Sequence, residues 1–157
     1  MKNNYLNIYN NLINLTRNKN LYLDLKNNDT FSDRLIIFLF HFGFFLRNYK
    51  NEINKNISQE IFDFIIRQIE LSIREIGYGD VSVNKKMKDY VNLFYSIIEK
   101  IEIWGKLEKN EKILLLSNFI NIKEDSDLLV NYFDKYCVFL ANNTLKNFTK
   151  DILEFKF

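Results

Sequence analysis

The chain has 157 residues, 47% of them hydrophobic, and its 22 Lys and Arg residues nearly balance its 20 Asp and Glu residues. Disordered chains combine low hydrophobicity with high net charge, so this composition predicts a folded core in a single domain, residues 1–157. One cysteine (Cys137), one histidine (His41) and four glycines exclude a disulfide framework, a cysteine-cluster metal site, the HExxH zinc motif and a glycine-rich phosphate loop. The common enzyme classes are therefore disfavoured.

Apolar residues recur at helical spacing along most of the chain, which predicts an all-α bundle of about six helices. The predicted helices cover about residues 4–17, 31–49, 57–76, 81–104, 108–119 and 128–140, and Phe148, Ile152, Leu153 and Phe155 are consistent with a last short helix. In the third helix, isoleucines that step by four or three residues form one stripe, which predicts a deeply buried face.

Several helix ends carry local signals. Residues 27–29 predict a turn, and Thr30 with Asp33 has the spacing of a capping box, with Asp in place of the usual Glu or Gln. Gly77 is predicted to end the third helix in the left-handed conformation. The acidic cluster at 124–127 is predicted to cap the sixth helix.

The longest apolar run extends from Leu35 to Leu46 and is interrupted by His41. Twelve helical residues rise about 18 Å, which is short of the roughly 30 Å of hydrocarbon in a bilayer, so a buried helix is predicted rather than a membrane span. Apolar residues surround most of this helix. It is therefore either the centre of the bundle or partly a docking surface, and we favour the centre. No secretory signal is recognised at the N-terminus.

His41 and the acidic pairs are the candidates for cofactor or metal chemistry. His41 has the setting of an axial haem ligand or a proton carrier, but no second histidine and no CxxCH motif accompany it, so we predict a hydrogen-bonded core residue. The pairs Asp24 with Asp29 and Asp125 with Asp127 do not resemble an EF-hand loop and are predicted to cap helices or face solvent. We predict no metal and no cofactor.

Lys85, Lys86 and Lys88, here called the lysine turn, fall in the first turn of the fourth predicted helix, where the helix dipole disfavours cations. This placement favours a contact with an acidic surface, RNA phosphate or anionic lipid, and the alternative is a solvated lysine-rich face. Residues 67–104 contain six basic and six acidic residues, so no broad basic field indicates DNA or RNA binding.

Residues Ser72 to Tyr95 closely resemble the signature of the ubiquinol–cytochrome c chaperone family, in which a helix ending in an LREMGVGD-like sequence leads into S-V-x-K-K-M-K and then a helix with F-Y. Residues 31–34 and 39–47 resemble the family's D/G-R-F and L-H-L-F…L-R stretches. The similarity covers about residues 5–140. The family commonly continues F-Y-G-R, whereas residues 94–97 here read Phe-Tyr-Ser-Ile, so the helix bend or contact made by that Gly-Arg is not expected.

The resemblance implies a non-enzymatic assembly chaperone that binds newly made cytochrome b and supports assembly of the cytochrome bc complex, respiratory complex III. The implied partners are cytochrome b, together with a small partner subunit, the ribosome or the anionic inner-membrane surface, and not DNA. The many residues with A/T-rich codons and the lack of a transit peptide favour a bacterial, cytoplasmic protein, with peripheral inner-membrane association as an option. In a eukaryote the expected location is the mitochondrial matrix side. The oligomeric state stays open.

The connector between the third and fourth helices and the residues around it are predicted to bind the partner. The predicted partner-binding residues are Arg74, Gly77, Gly79, Asp80, Lys85, Lys86, Lys88 and Tyr95. Phe44 and Phe45 are predicted to form an apolar client surface. One alternative is a ribosome- or RNA-binding helical module without chaperone activity. Another is an enzyme of lipid or quinone metabolism, which needs a pocket with convergent titratable groups that the sequence does not show.

Overall fold

The computed structural model describes residues 2–27, 30–124, 126–150, 155 and 157. Within these ranges the protein is α-helical, and the only β-type pairing is an isolated antiparallel bridge between Leu25 and Ile122. The α-helices are α1 (Lys2–Thr16), α2 (Phe31–Tyr49), α3 (Lys55–Glu75), α4 (Asp80–Ile101), α5 (Lys109–Ser117), α6 (Leu128–Ala141) and α7 (Leu145–Lys150), and two 3-10 helices cover Lys19–Tyr22 and Trp104–Lys106. The all-α prediction is confirmed.

Most helix ends follow the local sequence signals. The Thr30 side chain accepts a hydrogen bond from the backbone N–H of Asp33, which starts α2 at the predicted residue. Asn54 caps α3 in the same way through the N–H of Ile57, so α3 begins slightly earlier than predicted. Gly77 has a φ of 104°, the left-handed conformation that favours glycine.

The start of α6 differs from the prediction. Asp127 precedes α6 but makes no side-chain capping hydrogen bond, because its carboxylate pairs with Lys109 at the start of α5. Residues 28, 29, 125 and 151–154 lie outside the described residues, and with them part of the predicted turn, of the acidic cluster and of the last short helix.

Helix α2 is the centre of the bundle and contacts α1, α4 and α6. Every residue from Leu35 to Phe45 is buried, so the central position is confirmed and the docking-surface alternative is wrong for this segment. Gly43 allows α4 to pack closely, since a Cβ at this position would lie 3.0 Å from the Cδ1 atom of Ile101. No helix in the described part of the chain is both long enough and apolar enough to cross a membrane.

Helices α3 and α4 pack against each other and are joined by residues 76–79, here called the elbow. The inner face of α3 is the predicted isoleucine stripe, and its buried members are Ile61, Ile65, Ile69 and Ile73. On α4 the buried residues are Val83, Phe94, Ile97 and Ile101. This packing leaves the elbow and the outer face of α4 uncovered at the surface of the bundle.

Candidate partner-binding surface

The elbow and the first residue after the start of α4 expose apolar side chains. Val81 is 85% exposed, Ile76 is 51% exposed and Tyr78 is 43% exposed. Single exposed apolar residues are common on protein surfaces, but three neighbours are typical of a contact surface. Sequence reasoning missed these three residues, although apolar residues in a short connector between two amphipathic helices were the available signal.

Arg74 braces the elbow from inside the chain. Its Nη1 atom lies 2.5 Å from the Asp80 Oδ1 atom and its Nη2 atom lies 3.1 Å from the Glu70 Oε1 atom. The hydrogen bond to Asp80 is the main cause of the raised pKa of Arg74, followed by the hydrogen bond to Glu70. Arg74 and Asp80, both predicted to bind the partner, therefore bond to each other and connect the end of α3 to the start of α4.

The side chains of the lysine turn are available to a partner. Lys85 and Lys88 are exposed, and the ion pairs within the described ranges include none of the three lysines. The Lys86 Nζ atom lies 4.6 Å from the centroid of the Tyr78 ring, a cation–π contact that links the lysine turn to the elbow.

The position of the lysine turn in α4 corrects one sequence argument. Because α4 begins at Asp80, the three lysines lie beyond its first turn, where the helix dipole has little effect. The inference that the dipole disfavours them is therefore wrong. Val81, Lys85 and Lys88 are instead spaced i, i+4, i+7 on one exposed face of α4.

Tyr95 continues this exposed face about 10 Å further along the α4 axis than Lys88. It is 56% exposed, and its ring stacks on the ring of Phe62 from α3 with centroids 5.9 Å apart. Both rings line a groove of about 360 Å³ between α2, α3 and α4, together with Leu46 and Ile98. The sequence predicted Tyr95 as a site residue, whereas it did not identify Phe62 or the groove.

Phe44 and Phe45 do not form a surface. They are 1% and 0% exposed. The Phe44 ring packs against Trp104 with centroids 5.3 Å apart, and the Phe45 ring packs against Phe148 with centroids 5.1 Å apart. The prediction of an apolar client surface at these two residues is wrong, because helices distant in sequence cover α2 on all sides.

His41 is a hydrogen-bonded core residue, as predicted. Its Nδ1 atom lies 2.8 Å from the Ile37 carbonyl oxygen, to which it donates, and its Nε2 atom lies 2.5 Å from the Tyr132 hydroxyl, from which it accepts. Burial lowers the pKa of His41 to about 4, so the ring is neutral near pH 7. Both ring nitrogens are engaged, which leaves neither of them for an axial haem bond.

The other perturbed groups also reflect burial rather than a reactive site. Burial raises the pKa of the Cys137 thiol to about 11, and it raises the pKa of the Tyr132 and Tyr136 hydroxyls. No cluster of three His, Cys, Asp or Glu side chains suited to a metal ion occurs among the described residues. What this surface offers chemically is binding, through exposed ammonium groups and apolar side chains.

A model of the ubiquinol-cytochrome C chaperone family matches residues 23–109. The matched segment is more than half of the chain and includes α2, α3, the elbow, the lysine turn and α4. The chain belongs to the ubiquinol-cytochrome C chaperone family. Comparisons with curated proteins and with solved structures found no match.

Membership of the ubiquinol-cytochrome C chaperone family confirms the resemblance read from residues 72–95. It supports a chaperone role, which implies a client protein. In this chaperone, α1, α6 and α7 lie outside the matched segment, yet they supply side chains that bury α2. The elbow, the lysine turn and Tyr95 all lie inside it.

Proposed function

We propose that this protein is a non-enzymatic assembly chaperone that binds newly made cytochrome b and supports assembly of the cytochrome bc complex. One observation carries the proposal: the segment that matches the chaperone family contains an uncovered surface with unpaired cations beside exposed apolar side chains. The proposed site consists of the elbow, the lysine turn and the groove at Tyr95. The proposed location is cytoplasmic and peripheral on the inner membrane, where cytochrome b is inserted.

The two ends of the α4 face have different proposed tasks. The groove at Phe62 and Tyr95 binds an apolar segment of the client, since burial of apolar surface stabilises a complex by about 25 cal/mol per Å² before the costs of association. Tyrosine is frequent among the residues that dominate binding energy. The lysine turn attracts acidic groups of the client, which raises the association rate and fixes the orientation.

Charge reversal tests the lysine turn. The variant K85E/K86E/K88E is expected to abolish complementation of complex III assembly and to retain wild-type helicity and melting temperature, because these side chains make no internal ion pair. The matched control K100E/K106E/K146E changes the same number of exposed charges at other positions and is expected to support assembly. Normal assembly with the first variant would show that the lysine turn is not the site.

Co-purification tests the groove and the alternative function. Tyr95→Ala is expected to reduce the recovery of cytochrome b with the protein several-fold, whereas Leu114→Ala, at another exposed apolar residue, is expected to leave it unchanged. Binding to an apolar segment tolerates salt, whereas binding to RNA weakens steeply as salt rises. Recovery of ribosomal RNA with a steep salt dependence, and no cytochrome b, would favour the ribosome-binding alternative.

A further inference from the structure

A second concave site lies between α1, α2 and α3. It is a crevice of about 290 Å³ with an apolar floor and apolar walls. The apolar lining residues are Tyr9, Ile13, Phe31, Leu35, Phe38 and Ile69. The family resemblance does not account for this site, and α1, which forms one wall, lies outside the matched segment.

The polar groups of the crevice are strongly one-sided. Arg17 and Arg34 line it and are both exposed, and no acidic residue lines it in the described part of the chain. Arg17 forms no ion pair within that part of the chain. The hydroxyls of Thr16 and Ser72, which also line the crevice, donate to carbonyl oxygens of their own helices. The guanidinium groups are therefore the hydrogen-bond donors that face a ligand.

We propose that this crevice binds a single-chain amphiphile with an anionic head group. The chain occupies the apolar floor, and the carboxylate or phosphate bonds to Arg17 and Arg34. Ligand pockets usually have about 300–1,000 Å³, so this crevice is at the small end of the range and fits one chain rather than two. Guanidinium groups suit this head chemistry, because their planar fork donates two parallel hydrogen bonds to a carboxylate or phosphate.

The crevice is separate from the proposed client surface. It shares no lining residue with the groove at Tyr95 or with the lysine turn. Ser72 lies about one helical turn before Ile76, so the crevice is near the elbow but does not include it. Loss of amphiphile binding and loss of client binding are therefore distinguishable by variants at different residues.

Calorimetric titration of the whole chain with three decyl probes tests the charge requirement. Decanoate and decyl phosphate, below their micelle concentrations, are expected to bind saturably with one site per chain. Decyltrimethylammonium, with the same chain and a cationic head, is expected to bind at least tenfold more weakly. Tighter binding of decanoate assigns the site to free fatty acids, and tighter binding of decyl phosphate assigns it to lipid head groups. Equal affinity for all three probes, or no saturable binding, would overturn the proposal.

A pair of arginine variants tests the location. Arg17→Gln is expected to weaken binding of the anionic probes roughly three- to tenfold, as for a partly exposed ion pair, and to leave the cationic probe unaffected. Arg67→Gln removes an exposed arginine of α3 that does not line the crevice, and is expected to change nothing. The same affinity in both variants would place the anionic head elsewhere. Far-UV circular dichroism verifies that both variants fold.

Discussion

Two regions of the molecule use aromatic and polar side chains in opposite ways. Between α2 and α6, His41, Tyr132 and Tyr136 are buried, and their polar atoms bond to one another or to the backbone of α2. On the outer face of α4, Lys85 and Tyr95 extend into solvent and no described side chain satisfies the ammonium group. A buried group whose hydrogen bonds are complete stabilises the fold, whereas an exposed cation beside uncovered apolar surface is free to bind a partner.

The largest expected effect separates the two regions by stability. Phe44→Ala removes a ring that is packed against Trp104, so it is expected to lower the free energy of unfolding by about 3–5 kcal/mol. Tyr95→Ala, at an exposed ring, is expected to cost below about 1 kcal/mol. Urea unfolding of both variants measures the difference. Similar losses would mean that the α4 face is part of the core after all.

The next effect is a pH dependence that comes from His41. Its pKa is lowered to about 4 in the folded state from about 6.5 in the unfolded chain, so the unfolded state binds more protons between these values. Stability is therefore complete above pH 6.5 and falls as the pH decreases toward 4, by about 3 kcal/mol in total. His41→Gln removes this titration, and its unfolding free energy should depend less on pH over that interval. Parallel pH profiles for the two proteins would contradict the assignment.

The smallest effect distinguishes two glycines of the elbow region. Gly77→Ala is expected to cost about 1–2 kcal/mol, because a φ of 104° is unfavourable for a residue with a side chain. Gly79→Ala is the matched control, since Gly79 has a φ of −72° and its added Cβ would meet no atom within 4 Å. Thermal melting of both variants gives the comparison. A loss for Gly79→Ala as large as for Gly77→Ala would argue against backbone strain as the cause.

The sequence predicted those features that depend on neighbouring residues. The cap at Thr30, the isoleucine stripe of α3 and the left-handed Gly77 all follow from short-range spacing, and the structure confirms each of them. His41 was also predicted, because a lone histidine within an apolar helix is usually a core residue.

Features that depend on distant segments were not predictable in this way. Phe44 and Phe45 differ little in local sequence from aromatic residues that face a partner, and only the positions of Trp104 and Phe148 bury them. The pairing of Asp127 with Lys109 likewise depends on how α5 and α6 approach each other. The groove at Phe62 and Tyr95 and the crevice beneath Arg17 are formed between helices, and no single segment encodes their shape.

Helix α1 is held in place by the far end of the chain. The Asn7 side chain donates to the carbonyl oxygen of Thr149 over 2.7 Å, and the Asn11 side chain donates to that of Phe148 over 2.9 Å. During translation, α1 is therefore among the earliest segments to emerge and among the last to gain its tertiary partners, since the two ends of the Asn11 bond are 137 residues apart. Contacts of such long sequence separation form slowly. This protein completes its own fold only after nearly the whole polypeptide has been made.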